Sequence, residues 1–154
     1  MRLIIKLVIV LVIGLILFLT GVFFYIFYES KTDVSENPKF SKYLEKPIEI
    51  KSKSTLRWNK NKLRFCNYSL QANEDSNFEL EDIKSVKKYK IGDFIVFNKA
   101  LKFSNMHVGD TYYLIGNDTL PSGVIIEFEY YTNSQYSSEI WETEALFLKR
   151  IKNN

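Results

Sequence analysis

The hydrophobic pattern of this chain changes character at Glu29. From Leu7 to Tyr28 no residue is charged and most are aliphatic or aromatic, with Arg2 and Lys6 the only charged side chains before the run. At about 1.5 Å of rise per residue, a helix of that length covers a bilayer core of about 30 Å. Being apolar on every side, it offers no polar face to water, unlike a helix on the surface of a soluble domain. A cleaved secretory signal has a shorter core of about 7–15 residues and small side chains at its cut site. Here the run closes on Phe23-Phe24-Tyr25-Ile26-Phe27-Tyr28. The pattern therefore predicts an uncleaved, single-pass signal-anchor helix over residues 7–28, after an N-terminal flank of residues 1–6.

Beyond Glu29 the pattern is first polar and then alternating. Residues 29–37 read as a short polar linker, and 38–154 as a single β-rich exported domain. Asn37 and Pro38 suit the start of a short helix over Pro38–Lys46 that places Phe40, Tyr43 and Leu44 on one face, with Pro47 ending it. Ile48 and Ile50 alternate with charged neighbours, and Leu63–Leu70 is a second candidate strand. Gln71–Asn77 reads as a loop. Residues 78–90 fit helix and strand spacings alike, and strand-like structure is the expectation.

Two similar entries follow, Ile91-Gly92-Asp93 and Val108-Gly109-Asp110, each leading into a β-branched or aromatic run. Glycine supplies the positive φ of a tight turn and aspartate bonds its own backbone there, so both are read as turn formers. Thr111–Gly116 is expected to be a strand, with turns at Asn117-Asp118 and Pro121-Ser122-Gly123. Gly123–Tyr131 alternates most clearly, Val124, Ile126, Phe128 and Tyr130 against Ile125, Glu127, Glu129 and Tyr131. Thr132–Ser138 reads as a polar hairpin loop and Glu139–Lys149 as the returning strand. The fold class expected is mostly β, a small curled antiparallel sheet, barrel or sandwich, preceded by one transmembrane helix.

Charge sets the orientation and narrows the partners. Arg2 and Lys6 lie before the apolar run, whereas Lys31 is offset by Glu29 and Asp33. The positive-inside rule then predicts a cytoplasmic N-terminus and an exported C-terminal domain. Without those two residues the chain keeps 19 of its 21 basic residues against 18 acidic ones, near +1. A near-neutral domain lacks the footprint of a nucleic-acid binder. About 125 residues remain after the anchor, enough for one domain with its own core. The single cysteine, Cys66, cannot form an internal disulfide and is read as buried. Richness in Lys, Asn, Ile, Phe and Tyr resembles the composition of AT-rich bacterial genomes, which makes a bacterial inner membrane the expected location.

Candidate chemistry is sparse. His107 is the only histidine and precedes the Val108-Gly109-Asp110 turn, and no CxxC, HExxH or glycine-rich phosphate loop occurs. No cofactor or metal is expected. Glu127 and Glu129 share a strand face and would meet Glu142 and Glu144 on a hairpin partner, an acidic patch open to a cation or basic partner. Carboxylates so paired are also what glycoside hydrolysis uses, and the alternative reading is an envelope glycan-binding or hydrolytic domain using this acidic hairpin. Lys46, Lys51, Lys53, Arg57, Lys60, Lys62 and Arg64 form a basic stretch around Trp58, which reads as a turn with an exposed aromatic. The partner-binding candidates are Trp58, Arg57, Lys60, Glu127, Glu129 and Glu142. Together these predict a membrane-anchored, non-catalytic domain of the cell envelope that engages a protein partner, an immunity or inhibitor protein being one version. A structural subunit of a membrane complex is the other alternative.

Overall fold

The computed structural model describes residues 2–72, 79–132 and 138–152. Its first element is α1 (Arg2–Phe27), within which Ile4–Tyr25 is long and apolar enough to cross a bilayer; a signal sequence has the same composition. None of that stretch is buried by the rest of the protein. The remainder is an open mixed sheet. Its strands are β1 (Glu29–Asp33), β2 (Pro47–Glu49), β3 (Ser54–Asn59), β4 (Tyr68–Ala72), β5 (Glu79–Leu80), β6 (Ile83–Tyr89), β7 (Phe94–Asn105), β8 (Gly109–Thr119) and β9 (Ile125–Tyr131). Two helices complete it, α2 (Pro38–Ser41) and α3 (Glu144–Lys152). The mostly β class expected from alternation is what the chain adopts.

The sheet runs β1-β7-β8-β9-β4-β3-β6-β5, with β2 added to β7. Every pairing is antiparallel except β4 with β9, where Tyr68 lies beside Phe128 and Ser69 beside Glu129. Strong curl brings β6 back toward β8, although three strands separate them: Lys87 Nζ donates to both oxygens of Asp118 at 2.8 and 2.6 Å, and the Tyr89 hydroxyl donates to Asp118. Burial works against a charge on Asp118, but the bonds from Lys87, Tyr89 and the Thr119 N–H outweigh it and hold the carboxyl below its usual range.

The core lies on one face. Phe128 and Tyr130 from β9, Leu114 from β8, Phe97 and Ala100 from β7, and Leu56 and Leu70 from β3 and β4 meet Phe40, Ile48, Ile50 and Ile140 from the covering segments. Gly116 is dictated by this packing, since a β-carbon there would sit 2.6 Å from the Val96 carbonyl oxygen and 2.7 Å from the Phe128 ring. The second face is covered over its centre. Residues 60–67 lie across it as a loop, so that Phe103 and Ile115 are as buried as the core.

Several local expectations change. The predicted linker 29–37 is instead part of the sheet: β1 pairs with β7, Glu29 opposite Asn105 and Asp33 opposite Leu101, and only Tyr28 separates it from α1. The short helix stops at Ser41, six residues before Pro47, and Glu45 takes a positive φ of 57°. Its cap is as read, with the Lys39 N–H donating to Asn37 Oδ1 at 2.9 Å. Trp58 is in a central strand, not a turn, because Ser54–Asn59 pairs with β4 on one side and β6 on the other. Leu63–Asn67 is loop, and the strand begins at Tyr68. Asn117 and Asp118 continue β8.

The largest change is at the C-terminus, where Glu139–Lys149 is not a returning strand. Ile140 drops into the core and its carbonyl accepts from the Lys51 N–H at 2.7 Å. Thr143 then caps α3 by accepting from the Leu146 N–H at 3.4 Å, and Lys149, Arg150 and Lys152 fill its last turn, where cations oppose the helix dipole. Gly92 and Gly109 have φ of 94° and 72°, as their turn positions require. Residues 78–90 are strand over β5 and β6 from Glu79 onward; the predicted loops at Gln71–Asn77 and Thr132–Ser138 lie mostly outside the described residues.

Candidate functional site

Because β9 alternates, its carboxylates and Tyr130 face opposite sides of the sheet. On the loop-covered side Glu129 is only 4 % exposed, and its Oε2 accepts the backbone N–H groups of Phe65 and Cys66 at 2.7 and 2.8 Å. Burial raises the Glu129 carboxyl above its ordinary range, against the pull of those amides. The loop is fixed further by Lys31, which donates to the Arg64 carbonyl at 2.8 Å, by the Arg64 guanidinium 4.4 Å over the Phe103 ring, and by Phe65 edge-on to Tyr113. Glu127 is more open. It pairs with Lys99 at 3.1 Å, and its Oε2 accepts from Cys66 Sγ at 3.7 Å. Cys66 is buried, as its sequence context indicates, and burial beside the two carboxylates pushes its thiol up to about 12. A thiol held protonated in this way is a poor nucleophile.

On the core side a cleft of about 220 Å³ opens between α2, α3 and the 138–142 segment. The Tyr43 and Trp141 rings stack at 4.3 Å and Tyr130 meets Trp141 edge-on, so the aromatic wall is rigid. Arg150 grips Glu142 through two parallel bonds, Nε to Oε1 at 3.0 Å and Nη2 to Oε2 at 2.8 Å, which raises the guanidinium's affinity for its proton. Beneath them the Tyr130 hydroxyl donates to buried Glu139 at 2.5 Å and accepts from the Ile140 N–H at 3.2 Å. Burial and then Glu139 push the Tyr130 phenol well above its usual value. Two cations line the rim: Lys42 Nζ lies 4.8 Å over Tyr43, and Lys39 Nζ 4.9 Å over Tyr112.

Comparison with known protein families, curated proteins and solved structures finds no match.

The geometry therefore has to speak for itself, and it regroups the candidate residues. Glu127 and Glu129 do share a face and meet at Cys66. Glu142 belongs to the opposite side, held by Arg150, so no acidic hairpin forms because its second strand is absent. Arg57 and Trp58 are half-buried in β3, and desolvation lowers the Arg57 pKa. Lys60 forms an ion pair with Asp82 at 3.1 Å, both side chains more than half exposed. Trp58 and Lys60 are not brought to the cleft. Among the described residues no group of three or more His, Cys, Asp or Glu side chains is placed to hold a metal ion.

Sequence spacing marks none of the cleft residues Lys39, Lys42, Tyr43, Glu139, Trp141 and Arg150 as site residues, and places Tyr43 only on the apolar face of the short helix. Arg150 and Glu142 are eight apart, a spacing that brings no two residues together on a strand or on one continuous helix. The one usable signal was Thr143 followed by apolar residues at 147, 148 and 151 and cations at 149, 150 and 152, a capped helix with a basic end.

Proposed function

We propose that this protein is a membrane-tethered, non-catalytic binding domain that engages a protein partner through the cleft between α2 and α3. The observation that carries the reading is the cleft's wall: Tyr43 stacked on Trp141 beside the Arg150–Glu142 fork. Trp, Tyr and Arg are the residue types that dominate protein interface energies, and rigid aromatic surfaces lose little entropy on contact. A volume of about 220 Å³ lies below the usual ligand-pocket range of roughly 300–1,000 Å³ and suits a single inserted side chain. Lys39 and Lys42 at the rim favour a partner with acidic groups flanking that side chain. The tether is α1, the charge asymmetry around it supports a cytoplasmic N-terminus, and the domain is then exported on the outer side of a bacterial inner membrane. An immunity or inhibitor protein is one form such a binder takes.

Site-specific photo-crosslinking in the native membrane tests the reading. A crosslinker replacing Lys42 in the full-length chain should yield a discrete heavier species, lost when Lys39 is changed to Glu, whereas one replacing Val124 should yield none. Absence of any adduct from position 42, with the protein present in the membrane, refutes partner binding at the cleft.

A further inference from the structure

We propose that the β7–β8 turn, Met106–Val108, is a second membrane contact that rests at the lipid headgroup level and fixes the angle of the sheet to the bilayer. The inference rests on α1 spanning the membrane. Its basis is the register of β1. Tyr28 alone separates α1 from β1, and Glu29 lies opposite Asn105, so the base of the β7–β8 turn is paired with the first residue of β1, two positions beyond the end of the apolar helix. At most one residue of slack is available for the turn to move away from that level.

The chemistry of the turn fits the position. Met106 and Val108 are 61 % and 53 % exposed, side chains that burial in lipid would favour. The His107 ring stands 6.3 Å from that of Phe27, two residues beyond the end of the apolar span. Tyr25 and Tyr28, whose rings suit the boundary between hydrocarbon and water, line a cleft of about 210 Å³ with Ser30, Ser104, Asn105 and Met106. Asn105 closes the turn from within, accepting the His107 and Val108 N–H groups at 3.1 and 2.7 Å. Two backbone donors are thereby satisfied without water, which lowers the cost of setting the turn among headgroups. An apolar tip satisfied from inside and pinned beside an aromatic collar is the chemistry of an interfacial anchor.

Full-length protein in phosphatidylcholine vesicles tests this, with an environment-sensitive fluorophore attached to one cysteine at a time in a Cys66→Ser background. Met106→Cys, Leu11→Cys and Val124→Cys place the probe at the turn, in the apolar helix and at the far end of the sheet. By strand rise along β8 the far end is about 40 Å from the turn. With spin-labelled lipid present, probes at 11 and 106 should lose most of their emission while the probe at 124 keeps it. Quenching at 11 without quenching at 106 overturns the turn contact and leaves the spanning helix intact. Quenching at 124 as well as 106 overturns the fixed angle, because the sheet would then lie flat. No quenching at 11 removes the spanning helix and the proposal with it.

Discussion

Each face of the sheet has a fully buried centre, and the two centres are closed by different means. One is closed by apolar side chains, Phe97, Leu114 and Phe128 against Phe40, Ile50 and Ile140. The other is closed by a loop that a single buried carboxylate pins through two backbone amides, with cations stacked on Phe65 and Phe103. The first rests mainly on apolar volume. The second adds polar ties, with Glu129 holding the Phe65 and Cys66 amides. A strand with glutamates on one side is thus no guarantee of a wet face.

The sharpest way to break this contrast is Phe128→Ala, which empties the centre of the core and should cost roughly 3–5 kcal/mol of unfolding free energy in detergent. A cost no larger than that of the substitutions below would mean that the apolar face does not dominate. Glu129→Ala comes next at about 1–3 kcal/mol, because the Phe65 and Cys66 N–H groups lose their acceptor. Thiol-reactive reagent should then modify Cys66 in the folded protein, whereas in the unsubstituted chain it reacts only on unfolding; equal protection in both would show that the loop does not need Glu129.

Acidity separates the faces by sign. The Glu129 carboxyl binds its proton more tightly in the folded state, so the stability linked to it is complete below its ordinary 4.5 and falls as pH rises through the higher folded value. Asp118, held low by Lys87 and Tyr89, contributes stability above its ordinary 3.8 that is lost as pH falls through the lower folded value. Denaturation midpoints of Glu129→Gln and Asp118→Asn against the unsubstituted chain, followed across this acidic range, should diverge in opposite directions. At neutral pH Asp118→Asn should cost about 1 kcal/mol, the worth of a typical internal hydrogen bond. The smallest effect belongs to Lys60→Ala, below about 1 kcal/mol, since an exposed pair with Asp82 is screened by solvent. A larger loss would point to a contact of Lys60 beyond that pair.

What sequence reasoning could reach was set by how local each cause is. The apolar run, the Asn37 cap, the Gly92 and Gly109 turns and the alternation of β9 are each decided by neighbours a few residues apart, and all of them appear in the structure. Glu29–Asp33 looked like linker because five mostly exposed polar residues carry no alternation; β7 makes them a strand by offering an edge from seventy residues away. Alternation also fits Glu139–Lys149, but Ile140 is claimed by the core and Thr143 begins a helix before any strand partner is met. Of the candidate site residues, only Glu142 lines the cleft, because Tyr43, Trp141 and Arg150 converge through tertiary packing that no spacing encodes.

Tyr28 is the only hinge the chain allows between its apolar rod and its sheet. Any rotation or tilt of the rod is therefore transmitted to β1, through β1 to β7, and onward across the strands. Load applied at the sheet returns by the same route. A helix joined this way behaves as a lever more than as a leash, and a glycine-serine stretch inserted after Tyr28 would uncouple it from the sheet while leaving both folded.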